Sequence, residues 1–167
     1  SVKINAVNDA PTGNPTVVLA NGSEDVAYTL AVSDLLQGFS DVDGDALSIM
    51  DLVSDQGTIT KLADGSYKLN LATNNSGSVK LTYQVVDNKG GAITAQQTVV
   101  IDAVNDAPTG SATAKLVAGT INQSYVVTAQ NLLQGFGDVD GDAIHVQNLS
   151  SSQATIVDNK NGTYTIT

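Results

Sequence analysis

One block of this chain is written twice. Val7-Asn8-Asp9-Ala10-Pro11-Thr12 returns 97 positions on as Val104-Asn105-Asp106-Ala107-Pro108-Thr109. Leu35-Leu36-Gln37-Gly38-Phe39 returns at the same interval as Leu132-Leu133-Gln134-Gly135-Phe136, and Asp41-Val42-Asp43-Gly44-Asp45 as Asp138-Val139-Asp140-Gly141-Asp142. A gap-free period of this length means tandem copies of one small domain rather than one large domain. The spacing predicts a first copy over 7–103 and a second over 104–167. Residues 1–6 align with 98–103 and read as the tail of a preceding repeat. Thr167 matches Asn70, so the second copy carries no counterparts of residues 71–103 and reads as truncated. The expectation is an excised piece of a longer array.

The local pattern is strand, turn, strand. Val79, Leu81, Tyr83 and Val85 alternate with Lys80, Thr82 and Gln84, the period of a half-buried strand. Ile93, Ala95, Gln97, Val99 and Ile101 continue it, with Gln97 the weak point. Asp64-Gly65 and Asn161-Gly162 predict tight hairpins with both turn residues at positive φ. Ser33 predicts the cap of a single helical turn at 33–36. About seven strands follow, near 15–20, 26–31, 46–52, 57–62, 66–71, 78–86 and 92–101, which predicts an all-β chain of tandem, Ig-like antiparallel sandwiches. The second copy lacks two of those strands. It is therefore expected to expose apolar surface and sheet edges, with one of three outcomes: a poorly ordered second domain, strand complementation from a neighbouring molecule, or a continuation on another segment.

Charge narrows the function. Seventeen acids face seven bases, for a net charge of −10. Every base is Lys, and every acid except Glu24 is Asp, a residue of turns and loops rather than helices. This balance argues against nucleic acid or an anionic membrane as partner. No apolar run approaches the roughly 20 residues of a spanning helix, so no direct membrane insertion is expected. The chain has no Cys and one His, His145. Disulfides and thiolate sites are excluded, zinc is disfavoured, and no Ser-His-Asp set can recur with the repeat, so no enzyme is expected.

What recurs instead is a run of carboxylates. Asp41, Asp43 and Asp45, and their copies Asp138, Asp140 and Asp142, crowd like charges that repel by about 3 kcal/mol per pair at ~6 Å and an effective dielectric of 20. A hard divalent cation converts that repulsion into binding, and calcium best tolerates an oxygen-rich loop. An EF-hand is ruled out: counting from Asp41, position 6 is Ala46 and position 12 is Leu52. Asp9, Glu24, Asp25 and Asp87 lie at domain entrances and strand ends. Taken alone, each suits a turn as well as a ligand.

Val-Asn-Asp-Ala-Pro at 7–11 and 104–108, Asp-Val-Asp-Gly-Asp-Ala at 41–46 and 138–143, and Val-Val-Asp-Asn-Lys-Gly-Gly at 85–91 together resemble the cadherin-like repeats of large bacterial surface adhesins, many of the calcium-dependent RTX type. The resemblance implies Ca²⁺ bound between adjacent domains. On that pattern Asn105 and Asp106 would be linker ligands. Glu24, with Asp25, would reach in from the first domain, and Asp138 and Asp140 from the second. The equivalent site before the first domain would use Asn8, Asp9, Asp41, Asp43 and Asp87, while Asp45 and Asp142 would complete sites within single domains. Ala72-Thr73-Asn74-Asn75-Ser76 departs from the cadherin Leu-Asp-Arg-Glu segment, which removes two acids. Glu24 and Asp25 become Ile121 and Asn122 in the second copy, so a site beyond it should be weaker. The implied role is a calcium-rigidified extender of an extracellular, bacterial cell-surface adhesin, whose partners are neighbouring repeats of the same chain. A sugar- or protein-binding module near an adhesin tip, or an accessory domain of a secreted enzyme, are the alternatives.

Overall fold

A computed structural model describes residues 2–3 and 5–167; Ser1 and Ile4, both in the stretch read as a preceding tail, lie outside the described residues. The chain divides into two compact units, Ser1–Val104 and Asn105–Thr167. It is nearly all β, and among the described residues no helix is long and apolar enough to cross a membrane.

The first unit holds β1 (Thr12–Gly13), β2 (Gly22–Ser23), β3 (Tyr28–Leu30), helix α1 (Val32–Leu36), β4 (Phe39–Ser40), β5 (Ser48–Ser54), β6 (Thr58–Lys61), β7 (Tyr67–Asn70), β8 (Gly77–Val86) and β9 (Ala92–Asp102). One sheet runs β2-β9-β8-β5, a second runs β3-β7-β6, and β1 pairs with β4. Period-2 alternation places Val79, Leu81, Tyr83 and Val85 of β8 on one face, with Ala95, Val99 and Ile101 of β9 beside them. Leu30, Tyr67 and Leu69 come from the other sheet and Leu35 from α1, which closes a sandwich core. Burying a side chain of this kind stabilises the fold by about 1.5–3 kcal/mol. The Tyr67 hydroxyl donates to the Ile49 carbonyl at 3.2 Å and so ties the two sheets together.

Several expectations need correction. Residues 15–20 form no ladder: the Thr16 N–H bonds Gln37 O at 3.1 Å, and the Gln97 side-chain amide takes the Val17 carbonyl at 3.0 Å. Gln97 is no weak point but a buried, satisfied polar residue, whose Oε1 lies 3.0 Å from the Tyr83 hydroxyl. That hydroxyl also lies 2.9 Å from Leu35 O, and burial pushes the phenol pKa up to about 12. The cap of α1 is Ala31, without a side-chain bond, rather than Ser33. In the Asp64-Gly65 turn only Gly65 has positive φ; the Asp64 Oδ1 instead accepts from Ser66 N and Oγ, closing an Asx turn. The sheet is not purely antiparallel, because β2 runs parallel to β9.

The second unit holds β10 (Thr109–Gly110), β11 (Tyr125–Thr128), helix α2 (Ala129–Leu132), β12 (Phe136–Gly137), β13 (Ile156–Asp158) and β14 (Thr163–Ile166). Its sheets are β11-β14-β13 and the pair β10-β12, each matching a sheet of the first unit. Among its described residues there is no counterpart of the four-stranded sheet. Among its described residues only Val127 is a buried hydrophobic, while Val117, Ile121, Val126 and Val157 are exposed.

Candidate metal centre

The Asp-Val-Asp-Gly-Asp loop folds around its first carboxylate. Asp41 Oδ1 accepts the backbone N–H of Asp43 at 2.9 Å and of Asp45 at 3.2 Å. The Gly44 N–H returns to Asp41 O at 3.3 Å, with Gly44 at φ 78°, a conformation that glycine takes without a Cβ penalty. This wrapping turns the three side chains inward: one oxygen from each of Asp41, Asp43 and Asp45 lies within 4.8 Å of the others. The linker closes over the loop, since the Asp9 N–H donates to Asp43 Oδ2 at 2.8 Å.

Asp41 Oδ2 and Asp45 Oδ2 are shielded from water and have no hydrogen-bond donor. Shielded anionic oxygens without a partner are costly, and a cation among them removes the cost. The donor set therefore fits a divalent ion with a preference for oxygen. One competing charge is present. The Lys89 ammonium lies 2.5 Å from Asp45 Oδ1, and its hydrogen bond to Asp45, helped by Asp43 and Asp41, raises its pKa. Lys89 is remote in sequence from the loop, and the β8–β9 hairpin delivers it. One Lys balances one of three carboxylates.

Asp87 sits beside this cluster but is committed elsewhere. It is only 2% exposed. It accepts from Asn8 Nδ2 at 2.7 Å, from Lys89 N at 2.7 Å and from Gly91 N at 2.9 Å. These bonds, the one from Asn8 foremost, hold its carboxyl below the usual carboxylate range. A Cβ on Gly91 would stand 2.3 Å from Asp87 Oδ2 and 2.7 Å from Ala10 Cα, so glycine is what permits this approach. Asn8 and Asp87 act here as a clasp between the entering chain and the β8–β9 loop.

At the exit of the first unit Glu24 is 3% exposed, and its Oε1 accepts the Val104 N–H at 2.7 Å. Asp25, at φ 60°, is exposed and caps the Asn74 N–H at 2.9 Å. Asp102, which sequence reasoning missed, joins this end through Asn21 Nδ2 at 3.0 Å; its place at the end of a strand just before the Val-Asn-Asp linker is the signal that was available.

The second unit repeats the loop. Asp138 Oδ1 accepts from Asp140 N at 3.0 Å and Asp142 N at 3.3 Å, and the Asp106 N–H donates to Asp140 Oδ2 at 2.7 Å. Asn105 Nδ2 donates to Asp106 O at 2.9 Å, as Asn8 does to Asp9 O at 3.2 Å. Asp142 is exposed where Asp45 is half-buried. The solitary His145 is exposed.

Comparison with solved structures finds likeness to an endo-fucoidan hydrolase of glycoside hydrolase family 107, at 22% identity and a TM-score of 0.43 over 94% of this chain and 24% of that one. A Bacteroides ovatus mixed-linkage glucan utilization protein, SGBP-B, solved with a mixed-linkage heptasaccharide, matches at 18% identity and a TM-score of 0.39 over 96% of this chain and 40% of that one. The chain thus spans a quarter to two fifths of the length of these proteins, and no curated protein sequence matches it. The cadherin-like domain family model matches twice, over residues 7–102 and 104–167, and with the repeated acidic loops already in view the chain belongs to the cadherin-like domain family.

Proposed function

We propose that the chain is a spacer of an extracellular bacterial adhesin, in which calcium stiffens a row of cadherin-like domains. The observation that carries this reading is the convergence of Asp41, Asp43 and Asp45 with two water-shielded oxygens that no donor satisfies. Calcium supplies the missing positive charge. Asp41 orders the loop, Asp9 and Asp43 join it to the linker, and Asp45 closes it from the side of Lys89. On sequence grounds the proposal extends to the hinge, where Asn105, Asp106, Asp138 and Asp140 would share an ion with Glu24.

Extracellular calcium modules bind at about 10⁻⁴ to 10⁻³ M. At 100 times Kd, an ion bound only by the native state adds about 2.7 kcal/mol, a large share of a marginal stability. Below that concentration the carboxylates repel and the joints loosen. The tyrosines support a spacer over a sugar platform: Tyr67 and Tyr83 are buried, and the Tyr28 hydroxyl is tied to Ala20 O at 2.8 Å. Small-angle scattering and thermal melting, with calcium and then with chelator, test the reading. It expects a stiffer particle and a higher Tm with calcium. Asp106→Ala and Asp138→Ala should loosen the hinge while leaving the first domain folded. A melting curve and a scattering profile that ignore calcium would reject it.

A further inference from the structure

Where glycine follows asparagine, the glycine nitrogen can close on the side-chain amide before it, because no Cβ stands in the way. The chain carries this dipeptide twice, at Asn21-Gly22 and Asn161-Gly162. The fold treats the two differently. Asn21 Nδ2 is held by both carboxylate oxygens of Asp102, at 3.0 and 3.2 Å. Gly22 is fixed in β2 opposite Ile101, and it is covered so closely that a Cβ would stand 2.7 Å from Ile101 Cδ1 and 2.8 Å from Tyr28 Cδ2. Asn161-Gly162 sits exposed at the tip of the β13–β14 hairpin, with nothing within 4 Å of the place where a Gly162 Cβ would lie.

The hairpin also readies the amide. Asn161 Oδ1 accepts from Thr163 N at 3.1 Å and from Thr163 Oγ1 at 2.7 Å. Two donors on one carbonyl oxygen draw electrons from Cγ and stand where negative charge collects when a nucleophile adds to it. The nucleophile is adjacent: among the described residues nothing accepts from the Gly162 N–H. The matching turn of the first unit is Asp64-Gly65-Ser66, with the same two bonds to Asp64 Oδ1, but there the Gly65 N–H is taken by Leu62 O at 3.1 Å. Asp64 is also a carboxylate, which repels a nucleophile and has no amide to lose. It is exposed as Asn161 is, so an open tip belongs to the first domain too.

We infer that Asn161 is a site of self-modification, with water as the one co-reactant. The Gly162 nitrogen loses its proton and bonds to Asn161 Cγ. The Cγ–Nδ2 bond breaks, and the side-chain nitrogen leaves as ammonia with a proton in place of the one that Gly162 lost. The product is a cyclic imide. Water then opens that ring at either carbonyl: at Cγ to give an aspartate, or at the main-chain carbon to give an isoaspartate, whose backbone runs through Cγ. No oxidant or reductant takes part. Either product adds one negative charge. The aspartate is the residue that the first unit holds at position 64. The isoaspartate lengthens the backbone of the turn by one carbon, just before the Asp158↔Tyr164 pairing of β13 and β14. The second unit's hairpin thus ages by a clock that the first unit's does not carry. The inference rests on no cation and no partner.

The test follows the 167-residue chain at mildly alkaline pH by peptide mapping with mass spectrometry. The peptide that contains Asn161 is expected to gain the mass of an amide turned into an acid, with isoaspartate among the products. It should do so at least about tenfold faster than the peptide that contains Asn21, whose amide must first leave Asp102 and whose strand must open. The first domain's melting transition reports that Asn21 keeps its folded setting. In denaturant that protection is gone, and the two rates should converge. An Asn161 rate no faster than that of Asn21 in the native chain overturns the inference. So does a gap that survives in denaturant, since the neighbours in sequence would then set it. A product without isoaspartate also overturns it, because direct hydrolysis of the amide makes aspartate alone.

Discussion

The two acidic loops have the same sequence and the same internal hydrogen bonds, but only the first is embedded. Asp41 and Asp138 each gather the N–H groups two and four residues on, so the loop geometry is written locally. Burial is not. Asp45 is half-buried and paired with Lys89 because the β8–β9 hairpin stands over it, whereas Asp142, without such a hairpin, is exposed. Five residues can shape an acidic loop, but a domain's distant strands set how dry the loop is and which charges compete there.

The cores are where this contrast should break first. Leu35→Ala removes a fully buried side chain and should cost the first domain about 2–5 kcal/mol in denaturant unfolding. Leu132→Ala, at the matching but only half-buried place in the second unit, should cost less than about 1 kcal/mol. Equal losses would mean that the second unit is as well packed as the first.

An alkaline titration should separate the domains next. The Tyr83 phenol has its folded pKa raised from 10.0 to about 12, so its contribution is complete below pH 10 and is lost as pH rises toward 12. That contribution is on the order of 3 kcal/mol, and Tyr83→Phe should flatten the decline. Residues 105–167 hold no partner of Tyr83, so their circular dichroism should ignore the substitution.

Calcium should act more mildly. Asp41→Asn should abolish the calcium-dependent rise of the first domain's Tm, worth up to about 2.7 kcal/mol at saturating ion, while leaving Asp138 and its loop responsive. Isothermal calorimetry that finds the full stoichiometry retained in the variant would place the ion elsewhere.

The smallest effect belongs to Lys89. Lys89→Ala removes the competing ammonium and should tighten calcium binding several-fold, bringing the first loop closer to the second. Weaker binding would mean that Lys89 positions Asp45 rather than competing for it.

Alternation and spacing made the hairpins and the sandwich legible. β8 and β9 follow the apolar period closely, and the Asp-rich loops announce themselves because their partners lie within five residues. What stayed hidden lies at long separation. Nothing near Asp45 in the chain points to Lys89, and nothing near Gln97 shows that Val17 O and the Tyr83 hydroxyl will satisfy it. Residues 15–20 look extended and apolar, but side-chain and loop bonds claim the groups a ladder would need. The cap of α1 eluded a rule that scores side-chain oxygens, because Ala31 caps with its backbone alone.

The placing of β9 bears on how the proposed spacer would carry load. The chain leaves the first domain along β9, which lies between β2 and β8 rather than at an edge, and its last residues are held by Asn21 on Asp102 and by Glu24 on Val104. A pull beyond Val104 runs lengthwise along this strand. It must slide a whole row of interstrand bonds at once instead of unzipping them singly. Tethers that work under flow or traction are served by that kind of anchorage, which resists in shear and yields late.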